Sequence, residues 1–565
     1  MLLLTSAVAT TTSLNPPSSY VNTLGGTRSR RDISTGNILP LAVRPWGFNA
    51  WAAQTEIDDS GGATDRWWFH PDDRAFYGVR CTHQPSPWIG DWGYFTVFPS
   101  LTDPTHSDAE QFSTYNPFAP TSIWKPHHFS TELIGYCSGV GTGASTKQVC
   151  LSIEVTPTHH GAAMRIHFPP LVAGATSNGF NQTRRVLVRL NDVDTATLAT
   201  AAYRTAKQST VATHRDGPTR VRGGTAAPVP PPASGAVIEG STQTNHGGVP
   251  SVIVNKTTTQ LFNLFFSMQV DRSVASSSSS ASSTAPRVPL TVLDAGIIKD
   301  GHGHVSAYVD FDPAVLAAGG GPSDVTVRVA TSLISVAHAR NHLANEIGAK
   351  SFDVLLVEAQ TDWDETIGAF DVTSLGPNFE ATNSATGEAN PNVLSATDTL
   401  TTVYSALYRA AQFPRLLSEI DLDNKTEVHY SAYDPKGGVH PGPLVADSGF
   451  WDAYRTVYPL LSLLWPQKFG EIIAGELANA MADCCGRARR VCAQRDRHAR
   501  PCKQSPSSAP PPLPLPHYNI YTPTSSFPVL SRQPHCRLDQ RVHRRRLAPE
   551  MGLPRVPGRY DGKHG

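Results

Sequence analysis

The sequence predicts a multidomain β + α protein: a large antiparallel β-sandwich, then a helical region, then a basic proline-rich tail. Three observations carry this. Short strand-type runs separated by turn signals fill residues 14–334. Apolar spacing changes to a helical period after residue 335, and beyond residue 485 neither period persists. Alternation of apolar and polar residues marks half-buried antiparallel strands, whereas recurrence at i, i+3, i+4 marks helices.

The chain opens on MLLLTSAVATTTS, a short apolar core with small residues and no basic n-region. Residues 1–13 therefore read either as an N-terminal tail or as a weak signal peptide. The strand runs follow: YFTVFPS, QVCLSIEVTP, AAMRIHFPPLV, RRVLVRL, GGVPSVIV, QLFNLFFSMQV, HVSAYVDF and VTVRVATSLI. So many strands in about 300 residues require a large sandwich. Low-complexity stretches such as PVPPPASG and SSSSSASSTAP are loops between them. Cys137 and Cys150 flank a Gly/Ser/Thr-rich turn and are placed to pair across a hairpin.

A helix over 335–348 puts Ala339, His342, Leu343 and Ile347 on one face. The next begins with Ser351 as N-cap and Asp353 in the first turn. A polar linker over 374–395 separates these linker helices (335–395) from a second helical region, 396–485. That region contains helices at 398–412 and 448–465, the latter capped by Asp447 or Ser448. Apolar residues cover so much of 448–465 that it must be buried among other helices. A further helical pattern at 471–485 gives way to arginines and prolines, after too few helices to close a bundle or toroid.

Formal charge sums to zero, yet of 47 Lys/Arg and 47 Asp/Glu the tail 486–565 holds 16 and 4. The tail also holds 13 of the 46 prolines and no periodic apolar pattern, so it is expected to be disordered. A basic tail on an acidic body fits a nucleic-acid or membrane arm, or a tail never selected with the body. The second is preferred, and no nucleic-acid partner is expected. No stretch reaches the roughly 18 apolar residues of a membrane span. Eight cysteines are few for 565 residues, and the spacing of Cys485, Cys492, Cys502 and Cys536 fits no zinc template. Sequons at Asn181, Asn255 and Asn424 occur about as often as chance allows in so Ser/Thr-rich a chain. The compartment stays open between the secretory pathway and the cytosol.

The chemistry concentrates in two places. Six tryptophans fall between residues 46 and 92: Trp46, Trp51, Trp67, Trp68, Trp88 and Trp92. THQPSPWIGDWG (82–93) is too rich in Pro and Gly for a strand and reads as a rigid loop presenting His83, Trp88 and Asp91. Sugar rings stack their apolar faces on indoles, and their hydroxyls bond carboxylates and imidazoles. Trp67 and Trp68 read as core residues; Trp88, between proline and glycine, reads as functional. In ADSGFWDAYRTVYPL (446–460), Asp452 and Arg455 lie at i, i+3 beside Trp451. By spacing alone that pair belongs to a core helix. Arg409, Arg415, His429, Asp434 and His440 lie in or beside loops joining helices, and the histidine pairs 127–128 and 159–160 are weaker signals. His159 and His160 are expected at a strand edge. There is no P-loop, dinucleotide fingerprint or nucleophile elbow.

Together these segments resemble glycoside hydrolase family 92, the calcium-dependent exo-acting α-mannosidases. The likeness runs collinearly from about Tyr20 to Met481. It takes in YVNTLGGT, STGNILPLAVRPWGFNAWAAQT, WWFHPDDRAFYGVRCTHQPSPWIGDWG, SLISVAHARNHLANEI, SFDVLLVEAQTDWDETIG, LYRAAQFPR and HPGPLVADSGFWDAYRTVYPLLSLLWPQ. The resemblance implies an N-terminal sandwich packed on an (α/α)6 toroid, here incomplete, with the sugar site between them. It implies inverting removal of terminal mannose, often α-1,2-linked, from N-glycan-type glycans, with calcium helping to bind and distort the sugar. Trp88, with His83 and Asp91, matches the loop lining the pocket; Asp447, Trp451, Asp452 and Arg455 match the helix start facing it. No catalytic residue carries over. The family's general acid, its Gly-Asn-Glu-Pro-x-His segment, its catalytic aspartates and most calcium ligands lie downstream of Met481, and 486–565 hold no counterpart.

The final stretch RRLAPEMGLPRVPGRYDGKHG permits codons whose shifted frame reads Gly-Gly-Trp-Leu-Pro-Lys-Trp. This resembles a segment the family places shortly after that helix. Met551-Gly552 in particular forces a tryptophan codon in that frame. The expectation is that residues from about 486 are intronic or out of frame; the transcript sequence across residue 485 tests it.

Overall fold

The computed structural model describes residues 15–28, 38–55, 68–84, 91–101, 112–140, 147–169, 184–190, 195–200, 209–212, 236–242, 245–246, 263–273, 287–288, 292–299, 305–311, 323–372, 395–431, 438–446 and 453–478. The candidate signal segment, the GGVPSVIV run, the linker 374–394 and the tail 486–565 lie outside the described residues.

Two antiparallel sheets form the sandwich. One has seven strands in the order Ala42–Val43, Ala50–Gln54, Gly78–Thr82, Phe95–Ser100, Arg184–Arg189, Val305–Phe311, Val292–Lys299. The other has ten. Its main path runs Ser209–Ala212, Thr195–Thr200, Ala236–Thr242, Leu264–Ser273, Ser323–Ser332, Gly161–Phe168, Lys147–Pro157, His128–Val140, Ile123–Lys125, and Arg287–Val288 pairs beside Leu264–Ser273. Alternation sets the faces. Met164 and Ile166 enter the core with Val325, Val327 and Val329, while Arg165 and His167 point outward. Trp51 packs edge-on against Phe95, and Phe95 meets Phe266 of the other sheet at 5.0 Å, so aromatic contacts join the layers. The Trp51 indole N–H donates to the Gly161 carbonyl at 3.0 Å. Cys137 and Cys150 face each other across a hairpin and form a disulfide.

Short helix α1 spans Pro17–Tyr20, and α2 spans Val336–His342 and runs on as a π-turn, Leu343–Ile347. Helix α3 spans Phe352–Ile367 and α4 spans Ala396–Ala410. Ser351 caps α3 by accepting the Val354 N–H, as its position predicts. Ala339, His342, Leu343 and Ile347 are buried together, as the helical spacing predicts. Leu343, Ile347, Phe352 and Leu355 cover Ala163 and Ala330 on the outer face of the ten-stranded sheet. Trp363 packs on Tyr408 and donates to the Val43 carbonyl at 2.6 Å, tying α3 and α4 to the sandwich.

An ionic network holds α3 to that outer face. Glu154 accepts from His128 at 3.0 Å and from His167 and Arg165 at 2.8 Å. His167 also bonds Asp324 at 2.6 Å, and Arg165 reaches Asp353 of α3 at 2.9 Å. Burial alone would raise the Glu154 carboxyl, but its three hydrogen bonds hold it well below the usual carboxylate range. Burial likewise opposes charge on His167, yet Asp324 and Glu154 lift it to about 9. A raised histidine stabilises fully below its ordinary value of 6.5, and that stabilisation is lost as pH rises through about 9. The lowered carboxyl contributes above its ordinary 4.5 and loses its contribution as pH falls. Urea unfolding is therefore expected to show stability falling between pH 7 and pH 9.5, with His167→Gln reducing that fall. An equal fall in both proteins contradicts the assignment.

The helix expected over 448–465 needs correction. Ala453 is helical, residues 454–456 form a turn that interrupts the pattern, α5 spans Val457–Leu464, and 447–452 lie outside the described residues. Pro459 gives the reason. In a helix begun at 448, it would remove an interior hydrogen bond and clash with the carbonyl of Arg455; starting at Val457 leaves it in the tolerated first turn. Full burial of this helix is also not observed. Tyr458 and Leu461 are buried, but Leu463 is 77% exposed, because among the described residues nothing packs on that face. A further helix, α6 (466–478), follows, with Ile472 buried and Leu477 outward. No helix among the described residues is long and apolar enough to cross a membrane.

Candidate functional site

The Thr82–Gly93 loop leaves the seven-stranded sheet at Gly78–Thr82 and re-enters the sandwich at Phe95–Ser100. Its two ends are pinned beneath the surface. The Arg80 guanidinium lies between the Trp68 ring at 4.4 Å and the Tyr94 ring at 3.5 Å. Asp91 completes that stack, with Oδ2 3.0 Å from Arg80 Nε and both side chains fully buried. Its other oxygen accepts the His83 backbone N–H at 3.1 Å. One carboxylate thus ties the outgoing strand, the start of the loop and its end. Trp68 belongs to this core, as expected of it.

The expectation that the loop presents His83 and Asp91 outward is replaced by a different placement. Both are buried, because Asp91 neutralises an arginine held in an aromatic stack, and a buried charge requires such a partner. The structure brings His83 and Asp91 together as the foundation of the loop. Trp88, Asp447, Trp451 and Asp452 lie outside the described residues. Arg455 is exposed in the turn before α5, where its Nε donates to Tyr454 at 2.5 Å.

Behind the loop, Phe48 approaches the His83 ring at 6.4 Å and the His160 ring at 4.7 Å. His160 anchors a seam between the sandwich, α2 and the Leu416–Ile420 segment. The tight hairpin at 158–160 needs Gly161 next to it, since a Cβ there would stand 2.0 Å from the Val329 carbonyl oxygen. His160 Nε2 lies 3.0 Å from the Ser418 carbonyl oxygen, and Nδ1 lies 2.5 Å from Glu346 Oε1. The backbone N–H of His160 donates to the other Glu346 oxygen at 2.9 Å. Both ring nitrogens face acceptors, so the ring is an imidazolium paired with a carboxylate. Burial opposes that charge, but Glu346 raises His160; burial would raise Glu346, but His160 holds it low.

His342 stacks on His160 at 3.9 Å and bonds the Thr331 carbonyl through Nδ1 at 2.8 Å. Burial lowers it to about 3, with the His160 charge acting in the same direction, so it is neutral. Glu419 accepts from Ser332 Oγ at 2.5 Å and from the Leu333 N–H at 2.7 Å; burial pushes it up to about 7 against those bonds. Glu419 is 1% exposed. A carboxyl so enclosed cannot meet a sugar, and its role is to organise the turn from the sheet into α2. Sequence reading missed this cluster, expecting His159 and His160 at a strand edge. The one signal was a histidine pair directly before a glycine between two strand runs.

The polar groups read in or beside loops joining helices are structural where described. Arg409 donates to the carbonyls of Leu39 and Thr23 at 2.8 Å, and His429 bonds Gly442 and stacks on His440. Arg415 is buried, its guanidinium over the Phe413 ring. Asp434 lies outside the described residues. For calcium, no group of three or more His, Cys, Asp or Glu among the described residues is arranged to hold a metal ion. No calcium ligand is therefore assigned among the described residues.

Comparison with known proteins places this architecture. Residues 20–332 match the glycosyl hydrolase family 92 N-terminal domain, and residues 338–492 match the glycosyl hydrolase family 92 catalytic domain. No curated protein matches. Among solved structures, the chain is similar to a family GH92 inverting mannosidase from Bacteroides thetaiotaomicron VPI-5482, at 24% identity and a TM-score of 0.54, over 81% of this chain and 46% of that one. It is similar to a family GH92 alpha-mannosidase from Bacteroides thetaiotaomicron in complex with mannoimidazole, at 16% identity and a TM-score of 0.52, over 82% and 48%. A gh92 family glycosyl hydrolase, ccman5, gives 14% identity and a TM-score of 0.51, over 83% and 50%. The chain spans about half the length of these structures. With two consecutive domain models matched along the sandwich and the helices behind it, this chain belongs to glycosyl hydrolase family 92.

Proposed function

We propose that this chain supplies the mannose-binding wall of an α-mannosidase, acting on terminal α-linked mannose, α-1,2 linkages foremost, of N-glycan-type glycans. The single observation that carries this is the collinear match to both family 92 domains, which spans the Thr82–Gly93 loop and the 446–460 segment. In this reading Trp88 stacks on the sugar and Asp447, Trp451, Asp452 and Arg455 bind its hydroxyls. His83 and Asp91 set the loop's position from below. The start of a toroid over 396–485 is part of the same proposal.

Inversion needs one carboxylic acid to protonate the leaving oxygen and one carboxylate to activate water, about 6.5–9.5 Å apart. Glu346 and Glu419 do not serve, because Glu346 is held by the His160 ring and backbone N–H and Glu419 is buried and hydrogen-bonded within the seam. We place no acid or base in this chain, since no segment resembling the family's Gly-Asn-Glu-Pro-x-His occurs in it. Calcium belongs to this reading as the family's metal, with no ligand assigned among the described residues. The absence of that acid segment favours a second reading, a non-catalytic mannose-binding protein.

Calorimetry with mannose and turnover of an α-1,2-mannobioside separate the readings. Binding without turnover is expected of this chain, with Trp88→Ala weakening binding about tenfold, the loss of a stacking contact of about 1.5 kcal/mol. Turnover would refute the absence of an acid and base. A chain that shows no binding and no turnover overturns the proposal as a whole.

A further inference from the structure

The sequons decide nothing by count, but the structure distinguishes one of them. Asn181 and Asn255 lie outside the described residues, whereas Asn424 is at the tip of the hairpin joining Glu419–Ile420 to Glu427–Ser431. The run Asp423-Asn424-Lys425-Thr426 is exposed throughout. Asp421 shapes the tip by accepting the N–H groups of Asp423 at 2.9 Å and Asn424 at 3.0 Å. Lys425 turns the chain with φ of 59°.

That turn places the two sequon side chains in contact. Asn424 Oδ1 accepts the Thr426 N–H at 3.0 Å and the Thr426 hydroxyl at 2.6 Å. Two donors on one amide oxygen draw electron density from the amide nitrogen and make its N–H more acidic. With Oδ1 turned back into the hairpin, Nδ2 points away, and among the described residues it meets no hydrogen-bond acceptor. A bulky substituent there displaces nothing from the core, since Val428 and His429, the first buried residues, lie beyond the tip. A second observation bears on compartment. Cys137 and Cys150 are disulfide-bonded, and such bonds persist in oxidising compartments, where N-glycosylation also occurs.

We infer that Asn424 is a site of N-linked glycosylation and that the chain passes through an oxidising secretory compartment. The co-reactant is a polyprenyl-diphosphate-linked oligosaccharide. The Asn424 Nδ2–C1 bond forms as the C1–O bond to the diphosphate breaks. The polyprenyl diphosphate leaves with that electron pair, and the amide gives up one proton to a general base. Thr426 contributes through its hydroxyl, so Thr426→Ser retains the bond that Thr426→Ala removes. The glycan on the hairpin is independent of the chain's own action on mannose.

The test expresses the full chain with its own N-terminus in a yeast host, beside a copy carrying a cleavable secretory leader. Peptide mapping follows, with amidase release in heavy-oxygen water. The expected result is Asn424 converted to aspartate with the isotope mark in both proteins, abolished in Asn424→Gln and Thr426→Ala and kept in Thr426→Ser. An unmarked Asn424 in the leader-bearing, disulfide-bonded protein overturns the site. A mark confined to the leader-bearing protein overturns the compartment.

Discussion

Replacing Asp91 by Asn is expected to lower stability by about 3–5 kcal/mol, the cost of breaking a buried ion pair by neutralising one member. Arg80 stays clamped between Trp68 and Tyr94 with nowhere to reach water. The amide keeps the shape of the carboxylate, so the loss reports charge and not packing. Replacing both partners, as in Arg80→Met with Asp91→Leu, removes the charge along with its need and should cost far less. Urea denaturation of the two variants gives the comparison, and a loss below about 1 kcal/mol for Asp91→Asn contradicts this reading of the pair. A second readout concerns function. If Asp91 positions the loop carrying Trp88, Asp91→Asn weakens mannose binding at temperatures where the protein stays folded. Unchanged affinity would confine Asp91 to stability alone.

His160→Ala should cost about 3 kcal/mol, the lower end of the range for a broken buried ion pair, because Glu346 keeps some contact with solvent. The variant leaves the Glu346 carboxylate and the Ser418 carbonyl without the donor that joined them. It also opens a void against Phe48 and His342. Because His160 bridges the sandwich, α2 and the segment before Glu419, the damage should concentrate at that seam. Amide exchange is the discriminating measurement. Leu333 and Leu417 should lose protection, while Val325 and Val327 inside the sheet should change only as global stability does. Uniform loss across the sandwich would show that His160 does not act as an interdomain anchor.

Much of the fold was legible because period is a local property. Val325, Val327 and Val329 alternate with polar residues and turned out to face the core. Ala339, His342, Leu343 and Ile347 recur at helical spacing and turned out to share a buried face. Ser351 was readable as a cap because capping involves only residues three apart. The continuous helix expected over 448–465 is interrupted at a local feature too: apolar density was weighed above Pro459, which lies in the first turn of α5 after the break at 454–456.

The candidate site was legible in part. A Trp-His-Asp loop is recognisable from its Pro and Gly content, but the direction each side chain faces is not. Asp91 turns inward because Arg80, eleven residues away on a neighbouring strand, is already enclosed by Trp68 and Tyr94. The seam cluster was invisible for the same reason. His160 and Glu346 are 186 residues apart, and His160 and Ser418 are 258 apart. Nothing in either neighbourhood marks the other.

By itself, then, the sequence determined the β-then-α order, the strand and helix faces and the resemblance to family 92, since each rests on spacing or on contiguous motifs. Only the tertiary structure decided which charges are buried and what they meet. Burial makes an ionisable group dependent on partners that folding brings from elsewhere in the chain, and that pairing sets the protonation of His160, His342 and Glu419.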